Sequence, residues 1–159
     1  MIKTKKKIVV DLDVVTVAKW DKGKNGDLGR SFLLRIKNKE FDVVTPFYLL
    51  GHLDKWKHIT LKEKIENFYL KNSTTLLTNE DVDEKIEDLG IDDIKILLEL
   101  QSHDIKEEDA FIVLVTSIFE LDYLVTFNRK HLRNKEKEIN EILAKNGLKN
   151  IKIAGPEEV

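Results

Sequence analysis

The chain has no cysteine and, among 159 residues, only two prolines, seven glycines and two tryptophans. Without cysteine there is no disulfide, no thiolate metal ligand and no cysteine nucleophile. So little proline and glycine, beside 42% hydrophobic residues, excludes a disordered or low-complexity chain. No apolar run approaches the length that spans a bilayer. The basic segment from Lys3 to Lys7 leads directly into Ile8-Val9-Val10, not into the apolar stretch of a signal peptide. The expected location is cytoplasmic, with no membrane partner. A net charge of only −2 means that a nucleic-acid partner must be met by a local basic patch. The length suits one domain over residues 1–159, large enough to bury a full core.

What is present alternates between short β-branched runs and helical periods. Lys7 to Leu12 reads as a buried central strand, and Val14 to Trp20 as the start of a helix. Gly23-Lys24-Asn25-Gly26-Asp27-Leu28-Gly29 reads as a flexible loop before a helix over 31–37. Phe41 to Val44 is a second strand, after which Thr45-Pro46 predicts an N-cap and first helical position for a helix to about Lys57. Thr60 with Glu63 predicts a capping box, and Asn79 the cap of an acidic, solvent-facing helix ending near Gly90. Further helices are expected over 92–102, 107–121 and 135–145, with short strands at 75–77, 123–126 and 151–153. This order predicts an α/β fold, three layers α/β/α around a central, mostly parallel sheet.

In such a fold the carboxyl ends of the central strands gather at one edge, so residues distant in sequence share a site there. Asp11 closes the first strand, and Asp109 opens a segment that leads through Leu124-Val125-Thr126 to Asn128. Two converging acids suit Mg²⁺ or Mn²⁺. A magnesium site without a phosphate-binding glycine loop points to phosphodiester chemistry. Other readings of the same residues stay open. Asp13 serves as a helix N-cap or as an outer acid of the site, and Asp109 as a first-turn acid favoured by the helix dipole. His52 and His131 read as packing or surface residues. Trp20, Trp56, Phe47 and Tyr48 fit core or dimer-interface positions.

Taken together these segments resemble the PIN-domain ribonuclease family, including VapC-type toxins. Asp11 after the opening strand, Val43-Val44-Thr45-Pro46 before an apolar helix, and Asp109-Ala110 match in order and spacing. So do Asp122 to His131 and the Ile153-Ala154-Gly155-Pro156-Glu157-Glu158 ending. The resemblance implies a metal-dependent endoribonuclease that hydrolyses single-stranded RNA, with Asp11 and Asp109 holding the Mg²⁺ or Mn²⁺. It implies that Asn128 and Thr126 position the water or phosphate and that Asp13 acts as an outer acid. Arg129, Lys130 and Arg133 would contact the RNA backbone, although this run alternates with Glu136 and Glu138 and also fits a solvated helix start. A VapC-like protein would be a homodimer and the toxin partner of a small antitoxin. One departure is evident. The family carries a glutamate in the helix after the second strand, and here Gly51 or His52 stands in its place, so Asp54 or another acid would have to reach the pocket.

Two rival readings follow. A PIN domain lacking that glutamate would bind RNA or protein without cutting. Alternatively, Asp11-Leu12-Asp13-Val14-Val15 matches the nucleophile motif of haloacid-dehalogenase-type phosphatases, which also needs a strand-end Thr, a Lys and a strand-end acid pair. Thr78, Lys85 or Lys95, and Asp92-Asp93 would have to supply these.

Overall fold

β1 (Lys6–Val10) enters the molecule with two exposed lysines and leaves it through Ile8, Val9 and Val10, all fully buried. That gradient makes β1 the central strand. The computed structural model describes residues 4–159. In it five strands form one sheet, all parallel, in the order β3-β2-β1-β4-β5, with β2 at Phe41–Pro46, β3 at Thr75–Leu77, β4 at Tyr123–Val125 and β5 at Ile153–Ala154. Strands buried on both faces need no alternation of polar and apolar residues, and these have almost none.

Among the described residues eight α-helices cover the sheet. On one face α1 (Leu12–Trp20) packs against α2 (Lys24–Lys37) and α4 (Ile59–Asn72), with the short α3 (Phe47–Gly51) and a 3₁₀ turn over His52–Lys55 at the sheet edge. On the other, α7 (Glu107–Ile118) packs against α5 (Asn79–Leu89) and α6 (Asp93–Ser102), and α6 against α8 (Glu136–Lys145). The expected α/β/α layering is therefore present, as right-handed crossovers demand once the strand order reverses after β3. After its acidic first turn α7 is strongly apolar, with every residue from Ile112 to Ile118 buried. None of the described helices is long and apolar enough to cross a membrane.

Several local expectations are overturned. The glycine-rich stretch 23–29 is no loop: it forms the first half of α2, where the helices α1 and α2 meet closely. A Cβ on Gly29 would lie 3.0 Å from the Ala18 Cβ, and one on Gly26 would lie 1.9 Å from the Asp21 carbonyl oxygen. These glycines serve contact, not flexibility. Thr45 remains in β2, sharing a hydrogen bond with Ser73, and Pro46 takes the cap position. α4 is capped by the His58 ring, whose Nδ1 accepts from the Leu61 N–H at 3.1 Å, in place of the expected Thr60 box. Thr78, not Asn79, caps α5 through a reciprocal box with Asp81. The His58 and Thr78 caps are shifts of one or two residues, decided by which side chain can fold back on the first turn.

Candidate functional site

The register of β1 on β4 builds the site. Val10 stands opposite Val125, so the chain leaves the two strands side by side at Asp11 and Thr126. The Asp11 N–H donates to the Val125 carbonyl at 2.9 Å, continuing the pairing by one residue. With β2 and β3 on one side of β1 and β4 and β5 on the other, this point is the switch in strand order, where a crevice opens in α/β sheets.

The buried Thr126 hydroxyl is the hub. It lies 2.9 Å from Asp11 Oδ2 and 3.2 Å from Asp13 Oδ2, and it accepts from the Asn128 N–H at 3.0 Å. A hydroxyl has one proton to donate, so it satisfies one carboxylate at a time. Backbone groups supply the rest: the Leu12 N–H donates to Asp11 Oδ1 at 2.8 Å, and the Phe127 N–H to Asp13 Oδ2 at 3.1 Å. Asp11 is thus the N-cap of α1, while Asp13 sits in its first turn and ties it to β4. Tyr69 of α4 closes the floor, donating its hydroxyl to the Val10 carbonyl at 2.6 Å.

Asp109 arrives from the first turn of α7. Asn128 Nδ2 lies 3.5 Å from its Oδ2, and the Asn128 carbonyl accepts from the His131 N–H at 3.0 Å. Asp11, Asp13, Asp109 and Asn128 all line one cavity of about 460 Å³. The three acids therefore do converge. Their crowding has an electrostatic signature. Burial, then the charges of Asp13 and Asp109, push the Asp11 carboxyl well above the usual carboxylate range. Burial raises Asp13 to about 6, against the hydrogen bonds from Phe127 and Thr126 that favour its charged form. Burial and Glu108 raise Asp109, while Lys106, His131 and His52 pull it back. Buried like charges with shifted pKa values mark a place built to receive a proton or a cation.

The donor set is all oxygen, as a hard cation prefers. Among the described residues no three His, Cys, Asp or Glu side chains gather closely enough to cage an ion. The residues fit an ion held by one or two carboxylates, with water and a phosphate completing its shell, which is how Mg²⁺ is commonly bound. They do not fit an all-protein cage.

A scan against models of known protein families finds no match, and a search of curated proteins also finds none. Among solved structures, the chain is similar to the crystal structure of FitAcB from Neisseria gonorrhoeae, with a TM-score of 0.51 over 96% of this chain and 99% of that one, at 12% identity. The fold is PIN-like. At that identity the likeness speaks for the fold, and the site has to be argued from its own geometry.

Some expected residues take other tasks. Thr126 is buried beneath the acids, so it orders them and does not reach a phosphate. Arg133 is turned inward, its side chain 9% exposed, and it pairs with Glu158 and, at 3.0 Å, with Glu157. Arg129 also points toward Glu157, at 3.6 Å. Arg133 clamps the Pro156–Glu158 turn while Arg129 stays largely exposed, and only Lys130 of the three expected RNA contacts stands without an ion pair among the described residues. Asp54 is exposed beside Lys62 and does not line the cavity. The place of the missing glutamate is taken by His52, whose ring packs edge-on to Tyr48 and whose Nδ1 lies 3.5 Å from Glu108. Its Nε2 is buried with no hydrogen-bond partner. The acid that does reach the cavity is Glu108, with Lys55, Trp56 and Lys106 on its rim. Sequence reasoning missed Glu108, Lys55 and Lys106 because their first-turn and turn positions look like ordinary surface, and it gave Trp56 to the core or a dimer interface. The phosphatase reading also loses its footing: Asp92 caps α6 and no strand precedes it.

Proposed function

We propose that this chain is a metal-dependent endoribonuclease acting on single-stranded RNA. The observation that carries the reading is the convergence of Asp11, Asp13 and Asp109 on one cavity at the switch between β1 and β4, each held protonated more readily than usual, first by burial and then by neighbouring carboxylates. Asp11 and Asp109 would hold Mg²⁺ or Mn²⁺. The ion, when bound, supplies an acidified water and offsets negative charge on the phosphodiester. Asp13, anchored by the Phe127 N–H, would stand beside Asp11 and Asp109 as an outer acid of the site. Asn128 steadies Asp109 and keeps one carbonyl lone pair for water. The open, acid-floored cavity suits an extended strand whose phosphates bring their own need for a cation.

The deciding experiment is cleavage of labelled single-stranded RNA in Mn²⁺ and in Mg²⁺ by wild type and Asp109→Asn. Metal-dependent cutting that falls at least about 100-fold in the variant supports the reading. Cutting unchanged by the substitution belongs to a contaminant, and the site assignment fails.

A second reading rests on the His52 position and on the lack of a three-ligand cage. In it the same groove binds RNA or a protein without cutting it, and wild type is silent in both metals on several RNAs. A toxin role, with an antitoxin laid in the groove and a homodimer as the working unit, belongs to the nuclease reading. Co-expression that relieves growth arrest tests it.

A further inference from the structure

We propose that a second cavity, walled by Lys106, Lys130, Lys135 and His131, receives the phosphodiester backbone of the RNA strand, with Lys106 joining it to the acid cavity in one continuous groove. The identity of the strand as RNA rests on the nuclease reading above. The groove itself rests on geometry.

The second cavity has a volume of about 690 Å³, within the range of sites that enclose a ligand. It opens beside the acids: Lys106 lines both cavities, and Lys130 and His131 follow Asn128 in the chain. Its lysines are available. Among the described residues Lys106, Lys130 and Lys135 make no ion pair, whereas Arg133 is committed to Glu157 and Glu158. Lys135 is steadied by donating to the His103 carbonyl, and His131 by the Asp104 carbonyl 3.2 Å from its Nδ1. Asp104 and Glu107 also line the wall, so the balance is three ammonium groups against two carboxylates. That modest excess suits the spaced charges of one extended strand better than the dense charge of a duplex. The acid cavity repels phosphate until a cation is present. The lysine cavity attracts it with or without one. A strand therefore docks by its flank first, and the scissile bond is placed by what Lys106 holds.

The test is metal-free binding, so that its failure is distinct from failure of catalysis. Fluorescence anisotropy in EDTA, with a labelled 12-nucleotide single-stranded RNA, compares wild type with Lys106→Gln/Lys130→Gln at several salt concentrations. The expected result is a roughly 10-fold loss of affinity at 0.1 M salt and a slope against log salt shallower by about 1.4, two phosphate contacts' worth. Lys37→Gln/Lys71→Gln removes the same charge from the lysine-rich cavity at the opposite edge of the sheet and is expected to leave binding unchanged. Circular dichroism confirms that both variants fold, and Lys106→Glu alone provides a second reading of the same contact. Equal losses in the two double variants overturn the proposal, because the attraction is then only net charge. Duplex RNA bound as tightly as the single strand overturns it too. So does an acidic peptide that outcompetes the RNA, which would reassign the groove to a protein partner. If metal-free binding behaves as expected while no RNA is cut, the groove stands and the nuclease reading falls.

Discussion

The two edges of the sheet carry opposite charge and handle it differently. At the amino edge Lys6 and Lys7 are exposed, and Lys5, Lys37, Lys39 and Lys71 surround a cavity of about 310 Å³ with Asp42 as the acid among them. At the carboxyl edge Asp11, Asp13 and Asp109 share a cavity with one buried hydroxyl between two of them. Lysines stand on long stems, spread into water and are screened within about 10 Å at ordinary salt. Aspartates have one methylene and go where the strand end puts them. Repulsion at the amino edge relaxes by side-chain motion, while at the carboxyl edge burial, with the neighbouring charges held in place beside it, appears as raised pKa values. A site differs from a charged patch in just this respect: its charges cannot move apart.

That comparison can be broken most strongly through Asp13. Its folded-state pKa, about 6, lies above its ordinary value of 3.8, so the folded chain holds the proton more tightly than the unfolded one. Stability from this group is present at low pH and is lost as pH rises through that window, by at most about 3 kcal/mol. Asp13→Asn keeps an acceptor for the Phe127 N–H and should remove the loss. Urea unfolding at pH 5 and pH 8 is then flatter with pH than in wild type. An unchanged pH dependence would mean that the acids are not held against their charge. Thr126→Val is the next step, since it takes the only side-chain hydroxyl from between Asp11 and Asp13. A destabilisation of about 1–3 kcal/mol is expected by the same measurement, greater at pH 8 than at pH 5, where a protonated carboxyl can donate in its place. A pH-independent cost would reduce Thr126 to packing.

Smaller effects sharpen the contrast. Arg133→Gln should cost about 1–2 kcal/mol through the lost pairs with the partly exposed Glu157 and Glu158, and should leave RNA affinity unchanged. A selective loss of RNA binding with intact stability would return Arg133 to the substrate side. Smallest of all, Lys71→Gln at the amino edge should shift the unfolding midpoint by no more than about 0.5 kcal/mol at any pH. A larger shift there would show that the basic edge also stores repulsion.

Legibility followed the range of the interaction. The strands were readable because burial on both faces writes Ile8-Val9-Val10 into β1 and the apolar Leu124-Val125 into β4. Asp11 and Asp109 were readable as strand-end and helix-start acids in a recognisable order. Arg133 and Lys130 are alike on paper, three residues apart in one basic run, yet one is folded under the Pro156–Glu158 turn and the other faces the groove. Gly26 and Gly29 look like a hinge until α1 lies against them.

The amino-acid order by itself determined the parallel α/β architecture and which acids stand at strand ends, because hydrophobic periodicity and short-range capping are local properties of the chain. Only the tertiary structure decided which of them meet. The β1–β4 register set Thr126 beside Asp11, the packing of α7 brought Asp109, Glu108 and Lys106 to the same cavity, and the closing turn withdrew Arg133 from it. Those outcomes depend on contacts between residues from 24 to 115 positions apart, which a local pattern does not encode.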